Sequence, residues 1–161
     1  MSSEGKIVTL ATLPAWRDEL RRAGRRLVVT NGCFDLLHVG HIAYLEASRE
    51  RGDALLVGLN GDDSVRQLKG PPRPITPESD RARVLAALGC VDGICIFPEM
   101  RATRFLATAA PDVYVKGGDY TLATIDQDER RAVEAGGGRI DFIPFVPGKS
   151  TTGLLAKIQR L

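Results

Sequence analysis

The chain has only two histidines, His38 and His41, and they flank a glycine in the run Thr30-Asn31-Gly32-Cys33-Phe34-Asp35-Leu36-Leu37-His38-Val39-Gly40-His41. A spacing of three places both imidazoles on one face of a helix. The pair follows an apolar segment and a glycine turn, so it falls at a helix start, where unpaired backbone N–H groups and the dipole favour an anion. Imidazole N–H groups there can donate to phosphate oxygens, and Gly40 would let a ligand approach the backbone closely. Near the other end, Gly148-Lys149-Ser150-Thr151-Thr152-Gly153 precedes the last amphipathic segment. Three successive hydroxyls can cap a helix or hold a second set of phosphate oxygens. Phosphate handling from two distant segments is the chemistry these residues favour over ordinary histidines and ordinary caps.

Rival chemistries fit less well. HExxH is absent, and Cys33, Cys90 and Cys95 have no metal-ligand spacing, so no protein-held metal is expected. The Gly-Lys-Ser triplet hints at a P-loop, but the pattern needs a glycine where Ile143 stands. No GxGxxG follows the first apolar segment, which removes support for a dinucleotide site.

Five short apolar runs alternate with helix-like spacing. The runs 27–30, 54–59, 91–97, 113–115 and 139–145 read as buried strands. Ile42, Leu45 and Ala47 mark one helix between them, and Val84, Leu85, Ala87 and Leu88 another. Phe105, Leu106 and Ala109 mark a third, and Leu154, Leu155 and Ile158 a fourth. Strands separated by helices imply crossovers, hence an α/β, Rossmann-like doubly wound parallel sheet of about five strands. A helix precedes the first strand, with Thr12 as N-cap, Pro14 in its first turn and Gly24 at its stop. Residues 1–26 are read as a helical extension and 27–161 as the core of a single domain.

Ligands of such sheets bind beyond the carboxyl ends of the strands, so the residues after each strand matter most. Asn60 follows the second strand and is a candidate nucleotide contact. Lys69 and Arg73 belong to a Pro/Gly-rich loop that can close over phosphates. Arg81 stands at a predicted helix start, unfavourable for a cation unless an anionic ligand, Asp80 or Glu78 answers it. Asp35 can bind sugar hydroxyls or make an Asx turn. In Lys116-Gly117-Gly118-Asp119 the glycines allow close backbone approach, Lys116 can pair with a phosphate, and Asp119 can bind the sugar or a nucleotide group.

Composition excludes other classes. With 43% hydrophobic residues the 161-residue chain can bury a core. A net charge of +2 is too small to argue for nucleic acid. The cluster Arg21, Arg22, Arg25 and Arg26 suits a helix C-terminus. There is no run of ~18 apolar residues and no leader-like segment, so no membrane partner is expected and the cytoplasm is the expected location.

Taken together, the Thr30–His41 run resembles the HxGH signature of cytidylyltransferase-like nucleotidyltransferases, and Ser150-Thr151-Thr152 resembles their C-terminal phosphate motif. More narrowly, the chain is similar to the heptose 1-phosphate adenylyltransferase domain of lipopolysaccharide-precursor synthesis, which occurs alone or as half of a bifunctional kinase/adenylyltransferase. That likeness adds Leu68-Lys69-Gly70 with Arg73-Pro74, Val84-Leu85-Ala86-Ala87-Leu88 and Val115-Lys116-Gly117-Gly118-Asp119-Tyr120. The resemblance implies AMP transfer from ATP, with its Mg2+, to a sugar 1-phosphate. His38, His41 and Lys69 would be catalytic. Thr30, Asn31, Gly32, Cys33, Phe34, Gly40, Asn60, Arg73, Lys116, Gly118, Ser150, Thr151 and Thr152 would bind nucleotide, and Asp35, Arg81, Asp119 and Tyr120 the sugar phosphate. It also implies a homodimer. Similar signatures occur in glycerol 3-phosphate cytidylyltransferases, the main alternative; a non-catalytic nucleotide-binding module is the other. One departure stands out: where such domains carry a short glycine-containing segment after the tyrosine, residues 121–131 here are charged and longer.

Overall fold

Alternating burial along each strand divides the core into two layers. In β2 (Leu27–Gly32), Leu27 and Val29 face one layer and Val28 the other. The computed structural model describes residues 2–161. Its six strands form one parallel sheet in the order β1-β4-β3-β2-β5-β6. Besides β2 these are β1 (Ile7–Val8), β3 (Ala54–Asn60), β4 (Gly93–Phe97), β5 (Val113–Gly117) and β6 (Arg139–Ile143).

One layer holds α1 (Leu13–Arg22), α5 (Thr103–Ala109) and α6 (Gln127–Ala135) through Leu13, Leu20, Phe105, Leu106 and Val133. The other holds α2 (Val39–Arg49) and α4 (Glu78–Ala86) through Leu45, Ala82 and Leu85. Gly58 is needed in β3 because a Cβ there would lie 2.4 Å from Phe105 Cε1, where that ring packs on the sheet and stacks on Phe97. From β2 the chain steps one way to β3 and β4, then returns to place β5 and β6 on β2's other side. The order reverses between β2 and β5, and a crevice forms beyond their carboxyl ends.

The N-terminal residues add to what local sequence shows. The sheet has six strands, not about five: β1 is too short to register as a pattern, and its pairing of Ile7 and Val8 with Ile94 and Cys95 supplies what local sequence does not. Residues 7–22 add this strand and α1 to the core, since Leu13 is fully buried and Arg17 is 3% exposed. Arg17 ties α1 to the start of β5, donating to the Ala110 carbonyl at 3.0 Å and Asp112 Oδ2 at 2.9 Å. Thr12 flanks α1, with Pro14 in the first turn, but makes no side-chain cap; its Oγ1 instead accepts from the Thr9 amide.

Two helices are additional to those expected. Lys69 is the last residue of α3 (Asp62–Lys69) rather than part of the Pro/Gly loop. The charged segment after Tyr120 folds into a turn and then α6, whose N-cap Asp126 accepts from the amides of Asp128 and Glu129. The final helix, α7 (Thr151–Gln159), closes the chain.

Candidate active site

His38 is the N-cap of α2, in extended backbone, and His41 sits in the first turn. The two rings satisfy the helix end reciprocally. His38 Nδ1 accepts from the Gly40 amide at 3.1 Å, and His41 Nδ1 accepts from the His38 amide at 3.3 Å. An Nδ1 that accepts leaves a neutral ring with its proton on Nε2, so each imidazole becomes a donor. Burial, with His38 beside it, pulls the His41 pKa from its ordinary 6.5 to about 4. Burial and the Lys149 ammonium lower that of His38 as well. Near neutral pH both rings are uncharged donors, 3.9 Å apart between centroids.

The second motif arrives against the first. Ser150 is the N-cap of α7, its Oγ accepting from the Gly153 amide at 2.9 Å. Thr151 Oγ1 donates to the Leu36 carbonyl at 2.9 Å, which fixes the start of α7 on the histidine loop. Gly40 is the contact point: a Cβ there would lie 2.8 Å from His38 Cε1 and 3.1 Å from Lys149 Cβ. His38, His41, Lys149, Ser150, Thr151 and Thr152 all line one cavity of about 620 Å³. Two helix N-termini, two neutral imidazoles and an ammonium thus share one space, a combination suited to a polyphosphate.

Buried polar residues hold the far wall. Arg81 is 2% exposed and donates to the carbonyls of Thr76, Cys33 and Asn60 and to Asp62 Oδ1. Those four bonds join the end of β2, the end of β3, α3 and the proline loop. The anion that answers Arg81 is Asp62, and the guanidinium acts as an internal brace, not as a ligand on the cavity wall. Asp35 is used in the same way. It accepts from Arg73 Nε at 2.6 Å and from the amides of Ile75 and Thr76. Burial opposes its charge, but those amides and Arg73 outweigh it and hold the carboxyl below its ordinary value. Asp35 and Arg73 line the cavity with their charges already paired.

Gly32, Cys33, Phe34, Asn31, Asn60 and Lys69 line the same cavity. Burial pushes the Cys33 thiol up, so it is a poor nucleophile. Thr30 is fully buried, with Oγ1 2.6 Å from the Tyr44 hydroxyl and 3.0 Å from the Val115 carbonyl, and it does not reach the cavity. On the β5 side, Lys116 lines the cavity, while Asp119 and Gly118 lie off it. The close approach to Gly117 and Gly118 is made by the chain itself: added Cβ atoms would meet the Phe145 ring at 2.7 and 2.6 Å. Gly118 also has φ +95°, which suits glycine. Tyr120 lines the cavity.

Glu129 and Lys149 complete the walls, though neither carries a motif of its own in the sequence. Glu129 is 6% exposed; Oε1 accepts from the Ala102 amide at 2.9 Å, and Oε2 lies 3.1 Å from the Tyr114 hydroxyl and 3.9 Å from Lys116 Nζ. It lies within the charged segment after Tyr120, and only the tertiary fold turns it inward. Lys149 stands next to the hydroxyl trio, and its adjacency to the histidines could have been proposed once the two motifs were assigned to one ligand.

The model of the cytidylyltransferase-like family matches residues 29–145, which span both the histidine loop and the β5 turn. The chain belongs to the cytidylyltransferase-like family. That family places it among the nucleotidyltransferases. It is 51% identical over 157 residues to the bifunctional protein HldE of Geotalea uraniireducens, covering 98% of this chain and 32% of that protein. To HldE of Trichlorobacter lovleyi it is 49% identical over 138 residues, 86% of this chain and 28% of that one. The chain therefore spans about a third of the length of these relatives. Among solved structures, the lipopolysaccharide core biosynthesis protein of Thermoplasma volcanium matches with a TM-score of 0.63 at 27% identity, covering 76% of this chain and 98% of that one. The pantoate-beta-alanine ligase of Francisella tularensis shares the fold, with a TM-score of 0.58 at 12% identity over 96% of this chain and 78% of that one.

Proposed function

We propose that the chain transfers AMP from ATP to a sugar 1-phosphate, D-glycero-β-D-manno-heptose 1-phosphate, releasing pyrophosphate and giving ADP-heptose for lipopolysaccharide core synthesis. One observation carries the reading: the imidazole pair and the hydroxyl trio, more than a hundred positions apart, line a single cavity with Lys149 between them. Likeness to HldE proteins and to a lipopolysaccharide core biosynthesis protein supports the choice of acceptor.

In the reaction, an oxygen of the sugar phosphate attacks the α-phosphorus of ATP. A new P–O bond forms, the bond from the α-phosphorus to the bridging oxygen breaks, and pyrophosphate leaves with the electron pair. The nucleophile is already ionised, so no covalent enzyme adduct is needed. What the protein must supply is alignment of two anions and donors aimed at the charge that grows on the α-phosphate. His41 Nε2–H would donate to that phosphate and His38 would steady the triphosphate. The N-terminus of α7, with Ser150, Thr151 and Thr152, would hold the β- and γ-phosphates, and Lys69 and Lys149 would offset their charge. Among the described residues no group of three or more His, Cys, Asp or Glu could hold a metal. Magnesium would therefore enter on the triphosphate, as this ion commonly does.

The reading takes residues 1–161 as one catalytic unit, working as a cytoplasmic homodimer. No helix among the described residues is long and apolar enough to cross a membrane. Pyrophosphate release, measured over a panel of nucleoside triphosphates and sugar phosphates, tests the proposal. Release that needs both ATP and a heptose 1-phosphate is expected; a preference for CTP with glycerol 3-phosphate would overturn it.

A further inference from the structure

A second chamber of about 730 Å³ opens beside the phosphate cavity. The two spaces adjoin, because Leu68, Met100, Lys116, Tyr120 and Glu129 line both. Their chemistry differs. The first cavity presents donors: imidazoles, ammonium groups, hydroxyls and helix N-termini. The second adds Glu99, Arg101 and Asp126, and its charged groups are mostly carboxylates. Asp126 is committed, pairing with Arg101 and capping α6. Glu99 and Glu129 are not fully used. Glu99 Oε1 accepts from Arg104 at 3.0 Å, while its Oε2 is buried with no partner among the described residues. Glu129 Oε2 shares the Tyr114 hydroxyl, at 3.1 Å, with Asn31 Oδ1, which lies closer at 2.7 Å. A carboxylate can accept about four hydrogen bonds, so both retain acceptor capacity.

Ionised carboxylates cannot donate, and they repel phosphate. An occupant of this chamber must therefore supply hydroxyl or amine donors and carry no negative charge there. Tyr120 and Met100, both about half exposed, offer apolar surface against which the C–H face of a ring can pack. Lys116 stands on the wall common to both spaces, its Nζ 5.2 Å from the Tyr120 ring centroid. A ligand lying across the junction would need an anionic end at Lys116 and a neutral, hydroxyl-rich body beyond it.

We propose that this chamber binds the polyhydroxyl body of the acceptor, with hydroxyls donating to Glu129 and Glu99 and the ring lying on Tyr120 and Met100, while the phosphate rests at Lys116 facing the nucleotide. The placement builds on the transfer reaction proposed above and assigns acceptor selection to Glu129, Glu99 and Tyr120. It also gives the charged segment after Tyr120 a use: its helix delivers Glu129 to the chamber wall.

The test compares wild type, Glu129→Gln and Glu99→Gln. Glutamine keeps an oxygen for the Ala102 amide, and the partly exposed Glu99 guards against a folding defect in the buried site. Steady-state pyrophosphate release with ATP and heptose 1-phosphate should show KM for the sugar phosphate raised about tenfold or more in Glu129→Gln and several-fold in Glu99→Gln. The calorimetric Kd for ATP should stay within about twofold. Unchanged sugar-phosphate KM in both variants, or equal weakening of both ligands, would overturn the chamber assignment. Calorimetry of heptose 1-phosphate on the wild type, with a nonhydrolysable ATP analogue present, separates the two readings. Binding without pyrophosphate release would overturn the transfer reaction and leave the chamber standing; neither binding nor release would overturn both.

Discussion

The two ends of the sheet treat charge in opposite ways. At the amino ends of the strands, acids and bases cancel. Asp53, Asp92 and Asp112 each stand just ahead of or at the start of a strand, and each accepts an amide from the start of the neighbouring one: Arg26 at 2.8 Å, Leu55 at 2.8 Å and Leu27 at 2.7 Å. Each also meets an arginine, Arg26 at 3.8 Å, Arg49 at 3.0 Å and Arg17 at 2.9 Å. The basic cluster that looked like a feature in the sequence is partly consumed here. At the carboxyl ends, carboxylates such as Asp35 and Asp62 are spent on bracing arginines, while His38, His41, Lys69 and Lys149 keep donors facing the cavity. The same scaffold is closed at one end by internal matching and left incomplete at the other. Incomplete matching marks the site.

The contrast breaks most visibly at His41. Replacing it with alanine should lower kcat by ~10²–10³, about 2.7–4 kcal/mol, as for loss of one preorganised transition-state donor. The melting temperature should fall by only a few degrees, as for loss of one helix-capping acceptor. Turnover near the wild-type rate, in a pyrophosphate-release assay, would remove His41 from the chemistry.

Asp112→Ala should do the reverse. It strands the Leu27 amide and the buried Arg17 guanidinium, and should cost about 2–3 kcal/mol of stability by urea denaturation. The figure sits toward the low side of buried-pair losses because the Asp112 side chain is 42% exposed. Kcat of the folded fraction should be unchanged. A variant that loses turnover without losing stability would mean that the two ends are not independent.

Lys149→Ala sharpens the donor end. ATP binding should weaken about tenfold, ~1.4 kcal/mol, with a smaller change in kcat. Removing this ammonium should also raise the His38 pKa, readable by NMR titration, since Lys149 is one of the causes that lower it. No movement in either quantity would place Lys149 outside the phosphate field.

A further effect lies in the pH dependence of stability. The His41 pKa is about 4 in the folded protein against an ordinary 6.5. Above the ordinary value both states are neutral and stability does not depend on this ring. As pH falls below it, the unfolded chain takes up the proton first, so stability drops until the folded ring titrates. Between pH 6.5 and 4, wild type should therefore lose more stability than His41→Asn. Parallel curves would contradict a His41 ring that stays neutral in the folded protein down to about pH 4.

Much of the site was legible because its motifs are local. Two histidines around a glycine, or three hydroxyls before an amphipathic stretch, carry their meaning within a few residues. The apolar strands were legible for the same reason. The roles of Arg81 and Asp35 were not, because their charged partners Asp62 and Arg73 lie 19 and 38 positions away and only the fold pairs them. Asp62–Lys69 and Gln127–Ala135 show no apolar helical spacing, because charge dominates both and each buries only two side chains. Glu129 was hidden in the second of these. Ile7 and Val8 form a strand only because β4 offers an open edge.

The most direct measurement is a crystal structure with magnesium and a nonhydrolysable ATP analogue. Both histidine Nε2 atoms should lie within hydrogen-bond distance of one triphosphate, its β- and γ-phosphates on the amides and hydroxyls of Ser150, Thr151 and Thr152. A triphosphate bound elsewhere, or reaching only one of the two motifs, would contradict convergence on a single polyphosphate.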